Sequence, residues 1–430
     1  MFSLHETSKK RLCRAAFVLC CLAPTAGTLS WSVHRWCRGS DAAWQQRLSS
    51  ALLLPTRVSR AVEARPGLWR IGAARCFAGR SQQPAAELVD LQCDLRAARP
   101  RVAVRQATLD LAALPALIAA AWQWRAGTHD SAEWFVSELR LRVAASPADA
   151  NAPHAAPPTE LVARAVRLRW ETQPQADGPC AVLALQADFA GDEGASASRL
   201  QLAWQRPLAG EGGDAIRLEA SEPGVSAAIL GPLAPGLAQL AAARFAGAVQ
   251  WRRTGQTAGG TLEGTLHAAP LAAFLPADSP HRIDGVATIQ LAACRWQHDR
   301  WESCAGRLQK GQGCFSRSFW QSAVDRLHCL PPPQASGTPQ LLPHDALVFF
   351  DELACEFQFD RQGLVLASTK PLPEGAEAAP LVLRHGEPIL CQRRVRLPAG
   401  AWLQLWELTA PSWLPATRAA VETAQRLPLP

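Results

Sequence analysis

The chain has 430 residues, of which 48% are hydrophobic and 19% are charged. This length exceeds one ordinary compact domain, and this composition excludes an intrinsically disordered chain. The net charge of +7 does not indicate nucleic-acid binding, because residues 1–47 hold seven basic and two acidic residues, so that 7 − 2 = +5 lies there. The remaining +2 is too small to form a basic face on a folded domain. No nucleic-acid partner is therefore predicted.

The first predicted element is a membrane anchor over Ala15–Val33, which follows a basic cytoplasmic tail at residues 1–14. Its 19 residues carry no charge. At roughly 1.5 Å per residue they span about 28 Å, close to the roughly 30 Å of a hydrocarbon core. The basic residues before it predict a single-pass protein with a cytoplasmic N-terminus and a periplasmic body. Two alternatives stay open: a cleaved signal peptide and a cytoplasmic N-terminal helix.

Beyond the anchor the dominant hydrophobic period is two. Clear examples are Glu138–Val143, Ala165–Trp170, Gln201–Gln205 and Cys355–Asp360. Successive side chains of a strand point to opposite faces, so each of these segments has one apolar and one polar face. The pattern predicts a mainly β fold with short helices (α+β). We expect a curved, largely antiparallel sheet that forms either an open groove or a sandwich.

Short apolar helices are predicted between some of the strands. Three segments have helical spacing: Leu109–Ala121, Ala268–Leu275 and Phe315–Cys329. The last is the clearest amphipathic helix, because its apolar side chains share one face. A loose unit therefore recurs along the body, consisting of a strand, a turn, a strand and a short apolar helix.

Two Pro-rich linkers, at 144–158 and 331–343, divide the predicted body. The resulting parts are a first β-rich segment at 40–145, a central β-rich segment at 159–330 and a C-terminal segment at 344–430. The last part is predicted to contain a β hairpin and a Trp-rich helical segment around Trp402, Trp406 and Trp413.

The sequence contains no convincing catalytic, cofactor or metal motif. Gly306–Gly311 has the glycine spacing of a phosphate-binding loop, but Gln312 and Gly313 stand where Lys and Ser or Thr are needed. Cys294 and His298 are one acceptable pair of zinc ligands without a second. The body's nine cysteines are predicted by default to be single buried thiols, although an extracytoplasmic location permits disulfides. No catalytic residue, cofactor or metal is predicted.

The apolar phases of the alternating strands are the candidate binding surface. Its predicted members are Val166, Leu168, Trp170, Leu202 and Trp204. If the sheet curls without closing, these side chains line an apolar trough, and an exposed apolar surface of that kind normally marks a binding site. If a second sheet covers them, the same alternation describes a filled core.

An N-terminal anchor followed by a long β-rich body resembles the AsmA-like family, relatives of the TamB-type envelope bridge proteins. The stretches that carry the resemblance are Gly67–Ile71, Leu88–Leu95, Pro100–Val104, Ile283–Ile289, Trp296–Gly306, Gly313–Ser318 and Phe357–Leu364. The resemblance implies a non-enzymatic envelope protein that shelters or transfers membrane lipid along an apolar sheet face. The alternatives are a structural or scaffolding envelope protein with a filled core, and an extracytoplasmic enzyme whose site is assembled from distant residues.

Overall fold

The structure is a computed structural model that describes most of the body of the chain. The described residues are Thr25, Gly27, Thr28, Ser30, 41–50, 54–78, 83–96, 99–114, 116–117, 131–143, 160–175, 178–190, 197–208, 213–231, 233–234, 237–240, 242–255, 257–275, 279, 281–298, 300–331, 346–372 and 377–398.

Several predicted segments lie outside the described residues. They are the basic tail, all of the predicted anchor except Thr25, Gly27, Thr28 and Ser30, the linker at 144–158, the linker at 331–343 beyond Pro331, and the Trp-rich part of the C-terminal segment. None of the helices in the described part of the chain is long and apolar enough to cross a membrane.

The chain divides into two compact units. Unit 1 comprises residues 1–144 and 158–171, and unit 2 comprises 145–157 and 172–430. The described strands form a large, mostly antiparallel sheet and a separate three-stranded sheet, with two short helices. This architecture confirms the mainly β fold with short helices. The curvature of the sheet, the choice between groove and sandwich and the division into three segments stay predictions.

Unit 1 is built on strands that pair with their neighbours in sequence. Its elements are helix α1 (41–50), β1 (Thr56–Arg65), β2 (Leu68–Cys76), β3 (Ala86–Asp94), β4 (Arg101–Asp110), β5 (Ala132–Arg142) and most of β6 (Glu160–Gln175). All successive pairs are antiparallel except β4 and β5, which run parallel. One apolar row crosses all six strands in register: Ala61, Ile71, Leu91, Val104, Val136 and Val166.

Helix α1 is fixed to β1 by hydrogen bonds and to β2 by ring packing. The Asp41 carboxylate accepts the backbone N–H groups of Arg60 at 3.1 Å and Ala61 at 2.5 Å. Arg60 has a left-handed φ of 58°, so the carboxylate binds the chain where it departs from regular strand geometry. Trp44 packs edge-on against Trp69, with 5.3 Å between ring centroids.

Unit 2 contains the remaining strands and the second helix. Its elements are β7 (Gly178–Phe189), β8 (Ser198–Pro207), β9 (Asp214–Ser226), β10 (Arg244–Thr254), β11 (Thr257–Pro270), β12 (Ile283–Asp284), β13 (Val286–Gln297), β14 (Arg300–Lys310), β15 (Gly313–Ser316), α2 (Arg317–Leu327), β16 (Leu347–Phe350), β17 (Glu352–Asp360), β18 (Gly363–Ser368), β19 (Ala379–Arg384), β20 (Glu387–Gln392) and β21 (Arg396–Leu397). Strands β7, β8, β9, β10, β11, β13, β14, β17 and β18 pair successively and antiparallel.

The predicted recurring unit is present, and its helix after β11 is shorter than expected. Leu111–Ala113 is a 3-10 turn after β4, and Leu114, Ala116 and Leu117 beyond it are also helical. Ala227–Leu230 and Leu271–Phe274 are single 3-10 turns that follow β9 and β11. The predicted helices at Leu109–Ala121 and Ala268–Leu275 are wrong at their starts, because β4 continues to Asp110 and β11 to Pro270. Residues up to Asp110 and Pro270 pair with neighbouring strands, and this pairing determines their structure although the local spacing of apolar residues is helical.

Helix α2 confirms the predicted amphipathic helix, at Arg317–Leu327 within the expected Phe315–Cys329. The Ser316 hydroxyl caps it by accepting the backbone N–H of Phe319 at 3.3 Å, and His328 ends it in the left-handed conformation. Its buried side chains belong to a small core that also includes residues of the three-stranded sheet β12–β15–β16 and of β18–β21.

Candidate functional site: a layered face of unit 2

Three charged side chains meet on one face of unit 2, where β8, β9 and β10 lie side by side. The Asp214 carboxylate accepts the Arg206 Nε and Nη2 hydrogens at 2.6 Å and 3.0 Å, and the Arg253 Nη2 hydrogen at 2.6 Å. Asp214 is only 6% exposed, whereas the side chains of Arg206 and Arg253 are 35% and 51% exposed. We call these three residues the charged row.

Charge balance keeps this carboxylate ionised. Burial by itself would raise the pKa of Asp214, but the hydrogen bond from Arg206 and the positive charges of Arg206 and Arg253 outweigh it and hold that pKa below its usual value. Two guanidinium groups face one carboxylate, so the charged row has a net charge of about +1 at neutral pH.

A second row lies directly behind the charged row on the same face. Trp204 and Trp251 are two residues before Arg206 and Arg253, so alternation places them on the same face. The guanidinium carbons of Arg206 and Arg253 lie 5.9 Å from the Trp204 and Trp251 ring centroids, within the range of a cation–π contact. The complete aromatic row, in cross-strand register, is Leu183, Trp204, Ile216, Trp251, Gly260, Trp296 and Trp301.

A third row, the inner row, lies two residues further along the strands from β7 to β13, and three residues further in β14, where the register shifts. It crosses nine strands in register: Leu185, Leu202, Leu218, Val249, Leu262, Cys294, Cys304, Phe359 and Leu364. Leu218 and Val249 are 1% exposed, whereas Leu202 is half-buried. We refer to the charged, aromatic and inner rows together as the layered face.

The next row contains small residues that make room for an aromatic ring. It consists of Leu200, Ala220, Gly247 and Gly264. The Phe245 ring lies over both glycines, since an added Cβ on either would come within 3.0 Å of it. Both glycines also have φ values near +147°, which only glycine adopts without strain.

The predicted groove residues are divided between the two units. In unit 1, Val166 and Trp170 are buried and Leu168 is half-buried, and the Trp170 ring lies 6.3 Å from that of Trp134. In unit 2, Leu202 and Trp204 belong to the inner and aromatic rows. Their joint lining of one open trough stays a prediction.

The charged row was not predicted, although the sequence holds a signal for it. Arg206, Asp214 and Arg253 each continue the apolar phase of an alternating strand, two residues from Trp204, Ile216 and Trp251. A charged residue in the apolar phase near a strand end indicates either the end of the core or a polar site on its face.

A separate depression lies on the opposite, polar face of unit 2. It has a volume of 590 Å³, and the wall side chains Gln290, Arg307 and Glu356 alternate with those of the layered face. Arg307 and Glu356 are ion-paired at 2.6 Å and both are nearly half exposed. An exposed pair of this kind indicates a solvated surface, so we place the candidate site on the layered face.

The other sequence candidates have structural roles or none. Gly306–Gly311 lies largely within β14, which ends at Lys310. Cys294 forms a disulfide with Cys304, directly opposite it in the β13–β14 hairpin, so the default prediction of single thiols is wrong for these two. Seven other cysteines in the described ranges are free, and six of these are buried. Among the described side chains, no group of three or more His, Cys, Asp or Glu could hold a metal ion.

Comparison with known proteins identifies no relative. No family model matches the chain, and neither a curated protein nor a solved structure does. The AsmA-like assignment therefore rests on the sequence resemblance alone.

Proposed function

We propose that the protein is a non-enzymatic, membrane-anchored envelope protein of AsmA-like type that shelters the acyl chain of a membrane lipid on the layered face. The observation that carries this proposal is the order of the layers: charged at the strand ends, aromatic next and apolar behind, in register across three adjacent strands. The same order of charge, Trp and hydrocarbon is found at a membrane–water interface.

The depth of the layered face is suited to an acyl chain. From Arg206 to Leu202, β8 advances by four residues. At about 3.3 Å per residue this is about 13 Å, close to the roughly 15 Å of one hydrocarbon leaflet. An acyl chain whose head lies at the charged row therefore finds apolar side chains along its length.

Side chains of the layered face differ in their solvent exposure. The partly exposed ones support the entry of a ligand. Leu202 and Trp251 are half-buried, although their row neighbours Leu218, Val249 and Trp204 are buried. The face is thus partly accessible at Trp251 in β10, next to the charged row, and at Leu202 in β8, in the inner row.

The Cys294–Cys304 disulfide supports an extracytoplasmic body, because disulfides persist in oxidising compartments. It agrees with the orientation that the predicted anchor implies, with the body in the periplasm.

Lipid extraction from the purified full-length chain, followed by mass spectrometry, tests the proposal. We expect recovered phospholipid or fatty acid in the wild type and severalfold less in Leu202→Gln, which places an amide in the half-buried part of the inner row. The matched control is Ala203→Gln, because this adjacent residue lies on the opposite face of β8. Circular dichroism confirms that both variants are folded.

A wild-type protein that contains no lipid and takes none up from vesicles would contradict the proposal. The layered face would then be a filled core, as the scaffold alternative predicts.

A further inference from the structure

The charged row has binding capacity beyond its internal ion pairs. A guanidinium group has five N–H donors, and Arg253 donates one hydrogen bond to Asp214. No other side-chain hydrogen bond of Arg253 is found among the described residues, and its side chain is 51% exposed. Donors therefore remain on Arg253 for an acceptor that comes from outside.

The surroundings of Arg253 favour an anionic acceptor. Asp214 neutralises one of the two guanidinium groups, which leaves a net charge of about +1. The contacts with Asp214 and Trp251 hold Arg253 in place, so little side-chain entropy is lost when it binds. A fixed guanidinium matches the paired oxygens of a phosphate or carboxylate.

The position of the charged row indicates that the anion belongs to an amphiphile. The same strands continue from this row into the aromatic row and the inner row. A free anion would gain nothing from these apolar rows, whereas a lipid gains from both parts of the face.

We infer that the layered face selects lipids with an anionic headgroup, phosphate or carboxylate, and that Arg253 contacts this headgroup. This inference rests on the proposed function and adds the class of lipid to it.

The test compares two phospholipids that differ in headgroup charge. Fluorescent phosphatidylglycerol and phosphatidylethanolamine are offered to the full-length protein from phosphatidylcholine vesicles, and the affinity for each is measured. We expect phosphatidylglycerol to bind about tenfold more tightly, because its headgroup keeps a net negative charge whereas the ammonium of phosphatidylethanolamine offsets its own phosphate; tenfold corresponds to about 1.4 kcal/mol, within the range of a charge-assisted hydrogen bond. Arg253→Gln should weaken phosphatidylglycerol binding more than phosphatidylethanolamine binding and so bring the ratio close to one.

The matched control is Arg252→Gln. Arg252 precedes Arg253 in the same strand, is exposed and points to the opposite face. The variant removes the same charge from the same hairpin, so retention of the tenfold preference would show that the position of Arg253 matters and not net charge alone.

Three results would overturn the inference. Equal binding of the two lipids by the wild type would remove headgroup selection and leave the proposed function intact. Equal weakening of both lipids by Arg253→Gln, with a lower melting temperature, would make Arg253 a structural tie only. Competition by inorganic phosphate as strong as that by phosphatidylglycerol would show a site for a free anion. If neither lipid binds, the proposed function itself fails.

Discussion

Replacing Asp214 by Asn tests whether the charged row stabilises unit 2. The change keeps the shape of the side chain but removes the charge that accepts three hydrogen bonds from two guanidinium groups. Each hydrogen bond to a charged group contributes roughly 1.5–3 kcal/mol. The two arginines are 35% and 51% exposed, so water replaces part of the lost interaction, and we expect a loss of about 2 kcal/mol at pH 7.

The pH dependence has a definite sign. The pKa of Asp214 lies below its ordinary value, so its stabilising contribution is complete above about pH 4 and is lost as the pH falls through the lowered pKa. Urea denaturation at several pH values, followed by Trp fluorescence, measures this contribution. The difference between wild type and Asp214→Asn should be constant from about pH 5 to pH 8 and shrink below about pH 4.

A surface ion pair provides the control for this experiment. Asp188 pairs with Arg199 at 3.0 Å, and both side chains are at least one-third exposed. Asp188→Asn should therefore cost no more than about 0.5 kcal/mol. The reasoning about the buried carboxylate would be refuted if Asp214→Asn lowered the free energy of unfolding as little as Asp188→Asn does. It would also be refuted if the loss caused by Asp214→Asn became larger at acidic pH.

Three further changes test other parts of unit 2. Reducing the Cys294–Cys304 disulfide, which closes a loop with a sequence separation of 10, should lower the free energy of unfolding by roughly 2–4 kcal/mol, measured by urea titration with and without reductant. Burial raises the pKa of Cys329 to about 12, so its labelling by a thiol reagent at pH 8 should be far slower in the native protein than in urea. Gly264→Ala places a Cβ 2.3 Å from a backbone oxygen and should cost roughly 1–3 kcal/mol, whereas Gly311→Ala, with open space around it, should cost much less.

Most of the correct predictions came from the alternation of apolar and polar residues along the sequence. It correctly indicated the strands around Trp170, Trp204 and Trp251 and a mainly β fold with short helices. It also placed Leu202 and Trp204 in the apolar phase of one strand, as their positions in two successive rows confirm. Periodicity determines the face of each side chain from its own strand, so these predictions need no knowledge of which strands pair.

Cross-strand register was not predictable in the same way. Arg253 meets Asp214 across 39 residues of sequence, and their pairing depends on a register shift between Phe245 and Gly247 in β10. A slip of one residue would move Arg253 to the other face. The place of Arg253 in the charged row therefore depends on long-range pairing, and for the same reason the ends of β4 and β11 differed from the local helical spacing.

The composition of the charged row bears on the choice between a filled core and a binding face. One arginine would suffice to neutralise Asp214 and to tie β9 to a neighbouring strand. The structure instead places arginines on both sides, each against its own Trp. The second arginine adds a positive charge that no carboxylate in this row balances, at the strand-end side of an apolar face. A scaffold gains no stability from that excess charge, whereas an anionic amphiphile would neutralise it and cover the apolar rows at the same time.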